Sequence, residues 1–118
     1  MKKILVAILC GLQLLLAVPA FAHHSASQFD FKAPISLTGV VKEVTFANPH
    51  LRLLLEVPSK GGRVIEFEGH SVNNLYRAGW RKDMVKVGDT ITVTLAPRKD
   101  GADGGFVQSV KLADGRSF

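Results

Sequence analysis

From residue 35 onward, apolar and polar residues alternate in short runs broken by glycine, proline and asparagine, the pattern of half-buried strands joined by turns. Ile35 to Phe46 reads as a first strand whose apolar positions change parity: Ile35 and Leu37 face one way, then Val40, Val44 and Phe46 occupy even positions. Gly39 sits at the change, which predicts a bulge or sharp bend that lets one strand pair on two sides as a barrel closes. Asn48-Pro49 ends the strand because proline has no ladder donor, and His50 opens the next one. The second strand buries Leu51, Leu53, Leu55 and Val57, and the third buries Ile65 and Phe67, with Pro58 to Gly62 as the turn. A hairpin symmetric about Lys60 sets Leu55 against Ile65 and Leu53 against Phe67 inside, and Arg52 against Glu68 outside, where opposite charges favour the register. Extended by one step, it sets His50 opposite His70.

Ser71 is suited to cap a two-turn helix with Val72, Leu75 and Tyr76 as its apolar stripe and Gly79 at its end. Val87-Gly88-Asp89 then turns into a fourth strand, in which Thr90, Thr92 and Thr94 alternate with Ile91, Val93 and Leu95. A loop rich in glycine and aspartate leads to a fifth strand, Phe106 to Leu112. Three strands, a short helix and two strands predict an all-β fold, a small five-stranded OB-like barrel with one short helix between strands 3 and 4.

The first 22 residues follow a different rule. Lys2 and Lys3 precede an apolar run from Ile4 to Val18, too short to span a membrane comfortably, and Ala20-Phe21-Ala22 offers a small-x-small cleavage site. The expected organisation is a cleavable signal peptide at 1–22, an N-terminal arm at 23–34 and the barrel at 35–118, with the mature protein periplasmic or secreted. Lys2 and Lys3 leave with the leader, so 13 basic residues face 10 acidic ones and the net charge falls from +5 to +3. These charges are scattered, which argues against a nucleic-acid footprint. Cys10, the single cysteine, also lies in the leader, so the mature domain must stand without a disulfide.

His23-His24-Ser25 with Phe29-Asp30, Gly39, Asn48-Pro49-His50, Glu68, Leu75 with Gly79-Trp80, Gly88-Asp89, Pro97 with Asp100-Gly101, and Asp114-Gly115 follow one another across essentially the whole mature chain. In these residues the sequence resembles small secreted bacterial proteins of the domain-of-unknown-function 6152 family. That resemblance implies a domain type and an exported location and carries no activity. His70 lies outside the pattern, and its candidacy rests on hairpin register.

Candidate chemistry gathers at the histidines. Cleavage after Ala22 would give His23 a free amine beside its own imidazole, a chelating pair which a further imidazole completes into a three-nitrogen set. Nitrogen donors in a tetragonal plane suit Cu(II). His23, His24, His50 and His70 are therefore the expected metal ligands, with copper the expected metal and His23 and His50 the principal donors. A 12-residue arm at up to about 3.3 to 3.6 Å per residue has the reach. Arg52 and Glu68 are expected to form a surface ion pair, with Glu68 also near enough to orient the His70 ring. Asp100 and Asp103 lack the spacing of a calcium loop and are read as a hairpin turn. Trp80 is assigned to packing. Ser25, Ser71 and Ser109 have no adjacent base, so no nucleophile is expected. The preferred reading is a copper carrier or buffer with a metal ion and another periplasmic protein as partners, without contact to nucleic acid or membrane. The alternative is a secreted module that binds a saccharide, a peptide or a partner protein, and a mono-copper redox enzyme is a minor third.

Overall fold

The computed structural model describes residues 24–118, so the expected signal peptide and His23 lie outside the described residues. Five strands form the body: β1 (Ile35–Thr45), β2 (Arg52–Val57), β3 (Arg63–Glu68), β4 (Thr90–Pro97) and β5 (Gly105–Leu112). They close in the order β1-β2-β3-β5-β4, with β4 returning to β1. A short helix α1 (His24–Ser27) lies in the arm and a second, α2 (Val72–Arg77), between β3 and β4. This is the expected all-β arrangement. No helix among the described residues is long and apolar enough to cross a membrane.

The β2–β3 hairpin follows its sequence pattern residue for residue. Leu55 pairs with Ile65, Leu53 with Phe67 and Arg52 with Glu68, and Leu51, Leu53, Leu55 and Val57 are fully buried. A one-residue slip would turn all four outward, so burial itself holds the register.

In β1 the parity switch is real but sits elsewhere. Residues 35–40 pair regularly with β4, Gly39 opposite Ile91, and the bulge in the β1–β2 ladder falls between Val41 and Glu43. Val41, not Val40, is the buried residue, so odd positions face inward up to Lys42 and even ones, Val44 and Phe46, after it. Gly39 serves another need. A Cβ there would stand 2.7 Å from the Glu56 carbonyl oxygen and 3.1 Å from Leu55 Cβ, and only a residue without one lets β1 pass this close to β2 while it changes partner.

Helix α2 is capped from a distance. Ser71 has the extended backbone of an N-cap but makes no side-chain cap bond; instead Asn48 Oδ1 accepts from Val72 N at 3.0 Å, tying the β1–β2 connection to the helix start. At the other end Trp80 N donates to Leu75 O and Gly79 N to Tyr76 O, with Gly79 at φ 92°. That pair of bonds is a Schellman stop, and it brings Trp80 and Leu75 together in the core. Tyr76, expected in the buried stripe, is 45% exposed, its ring edge-on to Phe46 and under the Arg81 guanidinium.

The seam that closes the ring is narrow. β3 and β5 run parallel and share one paired position, Glu68 with Phe106. The arm lies over this part of the molecule. Phe29 is buried with Phe106 and Ala96, Phe31 packs edge-on to Phe106, Asp30 N donates to Pro97 O at 2.8 Å, and Lys99 N donates to Gln28 O at 2.9 Å.

Candidate functional site

The hairpin register that carried the histidine pairing ends at Arg52 and Glu68. Beyond it Leu51 N donates to His70 O while Leu51 O accepts from Gly69 N, so Gly69 and His70 together oppose Leu51, the geometry of a bulge. Gly69 is where this happens because a Cβ there would press on the Leu51 side chain at 3.1 Å. His50 and His70 are therefore neighbours across the end of the hairpin and not a regular facing pair.

Their rings have different partners. His50 is exposed, and its Nδ1 lies 3.0 Å from the Gly69 carbonyl oxygen. A carbonyl only accepts, so Nδ1 carries the hydrogen and the neutral ring keeps its lone pair on Nε2, the disposition common in metal-ligating histidines. The His70 ring stands edge-on to Phe106, with centroids 4.8 Å apart. Phe106 also packs against Phe29 and Phe31, so the docked arm and His70 share one aromatic cluster. His24 begins α1, four residues before Gln28. Among the described residues, no three His, Cys, Asp or Glu side chains converge into a ready-made metal cluster.

The expected Arg52–Glu68 ion pair is not made. Although the two residues are paired in the ladder, Arg52 turns to Glu43 and, at 3.0 Å, to Glu66. The hydrogen bond with Glu66 is the main reason its guanidinium is held even more firmly protonated than usual. Glu68 turns the other way, into a cavity of about 240 Å³ bounded by β3, the arm and the β4–β5 loop. Its Oε1 is buried and accepts no hydrogen bond. Arg98, on the wall of that cavity, spends its guanidinium on Asp100, at 3.1 and 2.7 Å, and on Gln28 Oε1, at 3.1 Å. No contact joins Glu68 to the His70 ring among the described interactions, so the anticipated orienting role is not what its geometry displays.

The remaining candidates resolve into structure. Asp100 Oδ1 accepts from Ala102 N and Asp103 is held by Arg63 at 2.6 Å, so the loop is a salt-bridged hairpin turn, as its spacing suggested. Trp80 is 2% exposed and packs at a tilt against Phe46 and Phe118. Its Nε1 lacks a partner beside a small cavity that Ser109 also lines. The docking role of Gln28 and Arg98 had no signal in the alternation, because both act through a loop–arm contact distant in sequence.

No curated protein and no solved structure matches the chain. The model of a family of unknown function, DUF6152, matches residues 12–108, most of the barrel together with the arm. The chain belongs to that family.

Proposed function

We propose that the protein is a periplasmic copper-binding carrier or buffer whose processed N-terminus supplies an amine and the His23 imidazole, with His24, His50 and His70 completing the donor set. The observation that carries the reading is the anchored arm. Phe29 is 4% exposed and the backbone on both sides of it is hydrogen-bonded to the β4 end and the loop after it. A terminus six residues before a buried anchor extends at most about 22 Å from it, so the donors that cleavage would create are confined to the neighbourhood of the seam. His50 adds an imidazole whose Nε2 lone pair is free. Amine and imidazole nitrogens, with copper at the head of the divalent affinity order, make Cu(II) the fitting ion.

The test is a Cu(II) titration followed by spin resonance on correctly processed protein. One extra residue before His23 moves the amine away from its imidazole and should weaken binding by about tenfold or more, as loss of a ligand or its support does. His50→Ala should do the same and His70→Ala less. Affinity should fall as pH falls, because every donor must shed a proton to bind. If the extended form binds as tightly as the mature one and His50→Ala is silent, the alternative module gains the field, and the partly exposed rings of Phe31 and Tyr76 become its first candidate contacts.

A further inference from the structure

We propose that the small cavity beside Trp80 is a recognition pocket for the N-acetyl group of an amino sugar, an inference that stands on Trp80 and shares only His70 with the copper reading above. Trp80 is 2% exposed, and its Nε1 has no partner among the described residues. An indole nitrogen only donates, and a buried donor left unpaired carries a desolvation cost that nothing repays. What it lacks is an acceptor oxygen. Next to this ring, α2 and β5 enclose a cavity of about 30 Å³. Leu75, Trp80 and Val107, all buried, form its inner wall, with Phe118 tilted against the indole. His70, Asn74 and Gln108, all exposed, form its rim.

The lining decides which acceptor fits. It contains no Asp, Glu, Lys or Arg, so an ion entering it would give up its hydration without a counter-charge, and the acceptor is neutral. One water takes about 10–15 Å³ of such space, so the cavity holds roughly two or three non-hydrogen atoms, an end group and not the middle of a chain. A primary amide of that size would press two N–H donors against Leu75 and Val107. An acetyl group brings one carbonyl oxygen for Nε1 and a methyl for the aliphatic wall, while Ser109, half-buried beside them, offers the oxygen a second donor. The amide nitrogen and the sugar ring that carry the acetyl group then lie at the rim. There Asn74, Gln108 and His70 supply neutral donors and acceptors for hydroxyl groups. These three side chains are exposed, so the mouth yields by rotamer changes and leaves the strands in place.

The chain's single tryptophan is the reporter. In proton–nitrogen correlation spectra of the processed protein, the indole N–H resonance should shift saturably downfield as N-acetylglucosamine is added, together with the backbone amides of Val107 and Gln108. Glucosamine, without the acetyl group, should bind at least about tenfold more weakly, and N-acetylalanine amide, which has the acetyl group and no sugar ring, should also bind more weakly. Trp80→Phe keeps a ring and removes the donor, and should weaken the sugar at least about tenfold, read at the Gln108 amide. Ala78→Leu enters the cavity from an exposed position at the end of α2 and leaves Trp80 in place; its indole resonance should stay still as the sugar is added. An unmoved wild-type indole that cross-relaxes with a long-lived water would show that an ordered water alone is its partner and overturn the proposal. Equal binding of glucosamine would overturn the acetyl contact, equal binding of N-acetylalanine amide the assignment to a sugar, and an unchanged titration in Ala78→Leu the assignment to this cavity.

Discussion

The β2–β3 hairpin and the β3–β5 seam share a strand yet are held by different physics. In the hairpin six consecutive positions pair, three buried side chains from β2 meet two from β3, and the turn is local. At the seam a single parallel position closes the ring, and stability comes from a segment outside the barrel, with Phe29 and Phe31 laid over Phe106. Where local alternation can do the work, it fixes register. Where it cannot, a docked arm covers the closure, and Glu68, with its unsatisfied Oε1, and His70, on the Phe106 ring, lie there.

The comparison can be broken hardest in the hairpin. Phe67→Ala, at 1% exposure, should cost about 3–5 kcal/mol and lower the denaturant midpoint of the whole domain. Phe29→Ala, in the satellite cluster of the seam, should cost about 3 kcal/mol at the low end of the same range. Its signature should be local: faster hydrogen exchange at Asp30 and Lys99, whose amides hold the arm, while the β2 and β3 amides keep their protection. Equal global loss of protection in both variants would mean that seam and hairpin open as one unit.

The same contrast explains what the sequence disclosed. The hairpin register was legible because Leu53, Leu55, Ile65 and Phe67 each report one face, and the charge signs of Arg52 and Glu68 agree with it; yet those signs did not reveal that Arg52 prefers Glu43 and Glu66. The bulge was legible as a parity change but was assigned to Gly39, since Val40 and Val41 are equally apolar and either could face inward. The bulge at Gly69-His70 left no signal, because glycine is neutral in an alternation count. The exposed oxygen-rich loop could be recognised as a turn, while its contact with Gln28 spans 70 residues and could not.

Gly39 gives an intermediate test, located where β1 passes from one partner to the other. Gly39→Ala places a methyl 2.7 Å from a backbone oxygen that cannot move without shifting β2, and should cost about 1–3 kcal/mol as an overpacking change. Lys42→Ala, at the bulge itself, should be far milder since its side chain is exposed and its ion pair with Glu56 lies at the surface. Chemical denaturation of the two variants orders them. A milder Gly39→Ala would show that the strand crossing is looser than its contacts imply.

The smallest effect concerns the loop that grips the arm, and it is set by acid. The hydrogen bond from Arg98, followed by the backbone donor Ala102, holds the Asp100 carboxyl down at about 2, against 3.8 ordinarily. A depressed folded-state pKa means that the ionised form favours the folded loop: the contribution is complete above the ordinary value and disappears as pH falls through about 2. Because Asp100 is at the surface, the loss is confined to the contacts it organises, namely its own bonds to Arg98 and Ala102 and, through Arg98, the bond to Gln28. Amide chemical shifts followed from pH 5 down to 2 should move at Ala102 and Lys99 together, while those of Leu53 and Phe67 in the hairpin stay put. Asp100→Asn should show the shifted loop positions already at pH 5 and no titration below it. Movement of the hairpin amides with the same midpoint would tie the loop to the core and erase the distinction between the two regions.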